Sequence, residues 1–494
     1  MWRGRGRAAR EEGATPLRIA ILGAGMAGLL SAIKLRDAGF DDFTVYEKAD
    51  RVGGTWRENT YPGIACDVPS HLYSYSFEPN PDWSQRFSPG AEIQAYFEGV
   101  AQRRGVMPHI RFGSEVVRGV FSNGRWQLET RDGVRDAVDA VIAATGVLHH
   151  PNFPKIEGLD RFAGAHFHSA RFDHSVKLDG RRVGIVGTGS SAVQMVSALV
   201  GRVAKLSLFQ RTAQWIMPQQ NPAYGEVERA EFRRRPELLA QTYADLGNLF
   251  HAFSTGLVDA DSPQMKAIEA ACRANLETTV RDPALREKLR PTYRAACKRL
   301  VMSPDFYEAI QKPNAEVVTE GIERVEERGV RTRDGRLHVL DVLVLATGFR
   351  VDRFVRPIEV VGRDGRSLDD SWSQRPSAYL SISVPGFPNF FMLNGPNGPV
   401  GNFSLIEVAE LQLGYVLQLL ELLRRRRCRE VSPDAEATAR FEAERTEAAR
   451  HTIWASGCRS WYLDDRGVPM SWPWTFERFR AEMSAPKLDA FELR

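Results

Sequence analysis

The chain has no apolar run approaching the roughly 18 residues that a membrane-spanning helix needs, and its basic first ten residues lack the apolar core of a secretion signal. Its five cysteines, Cys66, Cys272, Cys297, Cys428 and Cys458, are far apart and never form a C-x-x-C pair. That scarcity argues against a disulfide framework and a dithiol reductase, and fits a reducing, cytoplasmic compartment. The histidines are scattered and no H-E-x-x-H element occurs, so no metal site is expected. No G-x-S-x-G element marks a serine hydrolase. A dominant charge is missing too: 66 Lys and Arg stand against 62 Asp and Glu, and the two signs are interleaved. Nothing here predicts a nucleic-acid partner; no membrane association is expected, and no protein partner is implied.

What remains is an ordinary globular composition in 494 residues, too long for one core and enough for two or three domains. The most informative feature occurs twice. Gly23-Ala-Gly25-Met-Ala-Gly28 follows the apolar run Leu17 to Leu22, and Gly187-Thr-Gly189-Ser190-Ser191-Ala192 follows Val183 to Val186. Each sits where a strand turns into a helix, so that backbone N–H groups can cradle a pyrophosphate. At the same offset from the first glycine stand Glu47 in one case and Arg211 in the other. A carboxylate there accepts the ribose hydroxyls of an unphosphorylated adenosine, whereas a guanidinium matches a 2′-phosphate. The pair predicts FAD at the first turn and NADPH at the second. A tight turn without a ligand is the alternative for either alone.

The expected fold is α/β, with two Rossmann-like dinucleotide-binding domains and a helical insertion. Residues 17 to 50 read as β-α-β, with a helix over Ala27 to Ala38 and a strand over Phe43 to Glu47. Ala140-Val-Ile-Ala-Ala-Thr145-Gly146 recurs as Val342-Leu-Val-Leu-Ala-Thr347-Gly348-Phe349, twin strands bracketing an inserted domain. We therefore expect a disordered basic tail over 1–15, a first part of the FAD domain over 16–149, and an NADPH domain over 150–349. A helical insertion over 224–298 lies within that second domain, and 350–494 returns to the FAD domain. The polar, charge-alternating stretch from Glu226 to Lys298 has helical spacing. Ser404 to Leu423 reads as an amphipathic helix ending in Arg424 to Arg427, with its apolar face in the core; a membrane-surface helix is the weaker alternative.

Several ordered motifs carry a family likeness. Gly53-Gly54-Thr55-Trp56 continues to Tyr61-Pro62-Gly63 and Asp67, and Phe162 to Asp173 holds a second signature around His168. Further matches are Trp83 to Phe87, Cys297-Lys298-Arg299, Asn394-Gly-Pro-Asn397 and Gly457 to Tyr462. Together with both glycine turns they resemble the class B flavoprotein monooxygenases over nearly the whole chain, most of all the Baeyer-Villiger branch. One departure is Phe172, where that branch usually carries Trp and the heteroatom-oxidising enzymes carry Phe or Tyr; Asp173 follows the Baeyer-Villiger pattern.

The resemblance implies an enzyme that uses NADPH, O2 and FAD to convert a ketone into an ester or lactone through a C4a-peroxyflavin. By the same resemblance Arg299 is the active-site arginine and Asp67 the acid that orients it. A guanidinium that keeps its proton suits the stabilisation of an anion and of the tetrahedral adduct that follows. Gly54, Thr55, Trp56, Asp67 and Tyr73 are placed at the flavin, with Tyr73 alternatively in the core. Lys298 and Thr212 are placed beside Arg211 at the 2′-phosphate, and Trp461 at the nicotinamide nucleotide or in the core. His168 takes a coupling role rather than that of a base, and His149 and His150 read as linker residues. Trp215, Trp454 and Trp472 either line a bulky pocket or belong to the core. Two alternatives remain: a sulfur- or nitrogen-oxidising enzyme on the same scaffold, and an NADPH-oxidising flavoprotein redox sensor.

Overall fold

The computed structural model describes residues 16–401 and 403–494; the tail expected over 1–15 lies outside them. Two five-stranded parallel sheets organise the chain. In the first the order is Phe390–Met392, Ala140–Ala143, Ile19–Leu22, Phe43–Tyr46 and Ile110–Arg111. Ile21 pairs with Val45 on one side and Ile142 on the other. In the second the order is Ala315–Val318, Lys205–Phe209, Arg182–Val186, Val342–Leu345 and Ala165–His168. The first sheet thus draws its strands from both sides of the segment that builds the second. Short, continuous apolar strands such as Ile19–Leu22 and Val342–Leu345 are fully buried, as strands covered on both faces must be.

The twin Thr-Gly strands hold matching places, each beside the strand that feeds its sheet's glycine turn. Where they leave the sheets, two connections cross and bond to each other: Asn152 donates its N–H to the Gly348 carbonyl (2.8 Å) and Arg350 to that of His150 (2.9 Å).

Two antiparallel elements were not anticipated. Val116–Ser122, Arg125–Thr130 and Arg135–Val138 form a meander, with Glu359–Val361 added beside Val116–Ser122. Ile322–Glu326, Gly329–Thr332 and Leu337–Val339 form a three-stranded sheet.

Between the second sheet's strands lie four helices, Glu226–Arg234, Pro236–Val258, Pro263–Thr279 and Pro283–Leu289. Three begin with proline in the first turn, where its fixed φ suits the helix and its missing N–H costs nothing. The helix Pro236–Val258 reaches the far end of the chain: the His251 ring stacks on Phe476 at 3.6 Å, and its Nε2 lies 3.3 Å from Glu407.

The helix Leu405–Arg424 buries Ile406, Leu413, Val416 and Leu420 in the core around the first sheet, which settles its apolar face as packing. At its C-terminus Arg424 donates to the Ala38 carbonyl (3.0 Å) and lies over the Phe40 ring. A cation there complements the helix dipole and fastens this helix to the end of Met26–Asp37. Among the described residues no helix is long and apolar enough to cross a membrane.

Candidate active site

The carboxyl ends of the two parallel sheets open into one cleft of about 1500 Å³. Openings at strand ends are where parallel α/β sheets take their ligands. Both glycine turns line it, together with Glu47, Gly54, Thr55, Trp56, Asp67, Tyr73, Ser190, Ser191, Arg211, Thr212, Lys298, Arg299 and Trp461. Residues hundreds of positions apart therefore share one space.

At the first turn Gly23 has φ +100, a backbone that side-chain-bearing residues rarely adopt, and a Cβ there would press on the Ala144 carbonyl oxygen. Gly25 packs against Gly54, leaving the turn open toward the cleft. Gly28 departs from its expected role, because it does not face the cleft. A Cβ on Gly28 would collide with the Gly23 carbonyl, so its service is steric, letting the helix Met26–Asp37 sit against its strand. Glu47 is nearly buried at the end of Phe43–Tyr46. Its carboxylate accepts the N–H groups of Ala24 (2.7 Å) and Ala49 (2.9 Å) and pairs with Arg57 at 3.1 Å. These bonds hold it against the turn as a fixed acceptor for a hydroxyl pair. The buried Asn394 Oδ1 has no partner among the described residues although Asn394 lines the cleft. An orphaned acceptor in such a wall fits a polar ligand with a donor to offer.

The second turn repeats the design. Gly187 has φ +121 and lies against the Ala346 carbonyl, while Gly189 has open space where a Cβ would be. Ser190 begins the helix Ser190–Leu199, whose start, with its unpaired first N–H groups, borders the cleft. Thr188 Oγ1 donates to the Thr212 carbonyl (2.8 Å), tying the turn to the segment that bears Arg211. Arg211 and Lys298 face each other closely enough that Arg211 helps burial to lower the lysine's pKa. Neither has a carboxylate partner among the described residues, in a protein where arginines are otherwise widely paired. Two cations left together without an acid form a site for a doubly charged anion.

Arg299 lines the cleft and forms an ion pair, through Nη2, with Asp67. Their side chains keep 32% and 28% of their accessibility, and that opening is to the cleft. Asp67 raises the arginine's hold on its proton further, so the guanidinium is a permanent cation. The same cleft wall carries apolar groups, among them Ile64, Phe250, Leu393, Phe403, Leu405 and Trp461. Trp56 Nε1 donates to the Tyr73 hydroxyl at 3.2 Å, and burial pushes that phenol's pKa up.

Other expectations resolve differently. Trp454 and Trp472 are core residues, and Trp215 donates to the Tyr293 carbonyl (2.6 Å); none faces the cleft. His168 lies outside the lining, where its Nδ1 accepts the Ala170 N–H (3.1 Å) and caps a short turn. His149 does line the cleft, and burial lowers its pKa to about 4. Phe172 packs edge-on against Phe167 at 4.9 Å and is not part of the cleft wall.

The reading of the cysteines needs correction. Cys297 and Cys458, with Cα atoms 6.2 Å apart, are joined by a disulfide, while Cys66, Cys272 and Cys428 are free and buried. A bridge spanning 161 residues leaves no local spacing signal. Thiol titration in denaturant without reductant should find three groups, rising to five after reduction; five at the outset would mean that the bridge does not form.

Sequence reading also passed over contacts that join the two halves. The Tyr61 hydroxyl donates to Gln194 Oε1 (2.9 Å), and Gln194 Nε2 donates to the Ala65 carbonyl (3.0 Å). The run from Trp56 to Asp67 is thereby pinned to the helix of the second glycine turn. In the sequence Tyr61 is a motif letter only, because a hydroxyl's partner across domains has no local signature.

Comparison with known proteins agrees with this geometry. The model of the family described as flavin-binding monooxygenase-like matches residues 16–237. An uncharacterized monooxygenase of Mycobacterium tuberculosis is 48% identical over 96% of each chain. A Baeyer-Villiger monooxygenase of Streptomyces coelicolor is 41% identical over 97% of this chain and 92% of its own. The chain belongs to the Baeyer-Villiger monooxygenases, a branch of the class B flavoprotein monooxygenases. Among solved structures, cyclohexanone monooxygenase from Rhodococcus sp. Phi1 bound to NADP+ superposes with a TM-score of 0.86 at 29% identity, covering 97% of this chain and 99% of that one. The two glycine turns of this Baeyer-Villiger family member thus stand in a fold shared along nearly its full length.

Proposed function

We propose that this enzyme inserts one atom of O2 beside the carbonyl of a ketone, giving an ester or lactone at the expense of NADPH. The balance is ketone, O2, NADPH and a proton to ester, NADP+ and water. The observation that carries the reading is the Arg299–Asp67 pair set in an apolar cleft that both glycine turns enter. FAD belongs at the turn Gly23–Gly28, with Glu47 at its ribose and Asn394 elsewhere on the cleft wall. NADPH belongs at Gly187–Ser191, with Arg211, Lys298 and Thr212 at its 2′-phosphate. Bound flavin supplies what no side chain can, acceptance of hydride from the nicotinamide and activation of dioxygen.

The protein's own contribution is electrostatic and spatial. When the ketone carbonyl is attacked its oxygen becomes negative, and Arg299 offers N–H donors that Asp67 does not occupy. In a cleft with apolar walls such donors count for more than in water. Asp67 fixes the guanidinium but leaves part of it free. Ile64, Phe250, Phe403 and Leu405 exclude water and favour an apolar ketone, and Trp461 borders the nicotinamide side.

The test is aerobic turnover of flavin-loaded enzyme with NADPH and a panel of cyclic, linear and aryl ketones, with esters and H2O2 both quantified. Ester formed in proportion to NADPH supports the proposal. Stoichiometric H2O2 with every ketone, or sulfoxide formation from added sulfides without any ester, would overturn it.

A further inference from the structure

Arg299 has a second neighbour whose chemistry differs from that of Asp67. Tyr462 is 3% exposed, and its hydroxyl lies beside the Arg299 guanidinium, both against the backbone of Gly401, and helps to hold the arginine's proton. A Cβ on Gly401 would overlap that hydroxyl and stand 3.1 Å from Arg299 Nη1. Nη2, by contrast, faces Asp67. The two ends of the guanidinium therefore address different partners, a carboxylate and a phenol.

The segment that delivers Tyr462 is fastened to the one that delivers Arg299. The Cys297–Cys458 bridge lies two residues before the arginine and four before the tyrosine. Ala296, buried at the start of this turn, has φ 63, a left-handed backbone that costs an alanine about 1 kcal/mol or more and persists only where surroundings hold it. Beyond the bridge, Tyr462 accepts the Met470 N–H on its carbonyl (2.7 Å) and donates its own N–H to Ser460 Oγ (3.1 Å). Its ring packs at 4.1 Å from Trp461 and 5.3 Å from Trp454. Little freedom is left to the phenol.

We propose that Tyr462 is a positioning residue for Arg299, holding the guanidinium askew to Asp67 so that its remaining donors face the cleft. With a carboxylate as sole partner an arginine settles into a bidentate, fork-to-fork pair that consumes two parallel donors. A neutral oxygen on the other side resists that collapse without cancelling the charge. Burial raises the phenol's pKa, against the pull of Arg299, so it stays a neutral acceptor through ordinary pH. A phenolate would defeat the arrangement by adding a second anion.

The proposal rests on the role given to Arg299 above, and its test separates the two. Tyr462→Phe keeps the ring and its packing and removes only the hydroxyl. In flavin-loaded enzyme its kcat for ester formation should fall about tenfold with the ketone KM within about twofold, the size expected for one bond to a charged group. Independently of turnover, protein labelled with 15N-arginine should show the Arg299 side-chain resonance, assigned by its loss in Arg299→Lys, shifted and broadened in Tyr462→Phe. An unchanged resonance or an unchanged kcat in Tyr462→Phe overturns the positioning role. A changed resonance in Tyr462→Phe, together with undiminished ester formation in Arg299→Ala, instead overturns the catalytic reading of Arg299.

Discussion

Arg299→Ala should reduce ester formation from ketones by about 10³-fold or more while sparing most oxidation of a soft sulfide. A single donor aimed at a developing oxyanion is worth roughly 10² to 10³ in rate, and this donor also carries full charge into an apolar cleft. The alanine variant loses both contributions and leaves Asp67 without its cation, so the cleft's sign is reversed near the reacting carbonyl. Attack on a carbonyl develops negative charge on oxygen; oxygen transfer to sulfur does not place that charge on the substrate. The ratio of the two products is therefore the measurement, with flavin content and thermal unfolding recorded beside it. An equal loss of ester and sulfoxide would remove the case for Arg299 as an oxyanion partner. Arg299→Lys should recover only part of the rate, because a point charge without the planar fork cannot serve Asp67, Tyr462 and a substrate oxygen together.

Local patterns account for what could be read before the structure. Each glycine turn is written in a few adjacent residues, since a strand, a left-handed glycine and a helix start must follow one another, and Gly23 and Gly187 hold such backbones. The parallel strands that were legible are largely apolar runs such as Val342–Leu345, as burial on both faces requires, whereas shorter or more polar members such as Ile110–Arg111 and Ala165–His168 were not. The antiparallel pieces were not. Arg125–Thr130 alternates buried and exposed positions over six residues, and polar outward positions make such a stretch resemble a loop. Gly28 was grouped with ligand-binding residues by its place in the motif, although its constraint is the close approach of helix and strand.

Long-range pairings were the least visible. The Cys297–Cys458 bridge, the Tyr61–Gln194 bond and the Tyr462–Arg299 contact join segments more than a hundred residues apart, and no periodicity encodes them. Resemblance brought Arg299 and Asp67 together, whereas composition alone offered only one arginine among many. The pair's surroundings needed coordinates. Apolar side chains of the cleft wall, Ile64 from the Trp56–Asp67 run, Phe250 from the helical segment and Leu393, Phe403, Leu405 and Trp461 from later in the chain, help set the medium in which its charge acts.

Arg211→Ala should raise the KM for NADPH by about 10²-fold and leave that for NADH within about threefold. Arg211 and Lys298 stand together without an acid among the described residues, and the lysine's pKa is lowered first by burial and then by the neighbouring guanidinium. A 2′-phosphate relieves that repulsion as it binds, so its loss is felt twice: the guanidinium's bonds are gone, and Lys298 is left alone to meet the dianion. Bonds to charged groups contribute about 1.5–3 kcal/mol each, and about 1.4 kcal/mol is tenfold in affinity, which gives the expected size. NADH carries no such phosphate and meets the same glycine turn and helix start in both proteins. Lys298→Ala should act in the same direction with a smaller effect, because an ammonium makes no bidentate contact. The check is the ratio of NADPH to NADH dissociation constants, measured by the rate of flavin reduction at increasing nucleotide in the absence of O2. Parallel losses for the two nucleotides would mean that Arg211 supports the turn rather than the phosphate, and would shift the source of NADPH preference to the Ser190–Thr212 side of the cleft.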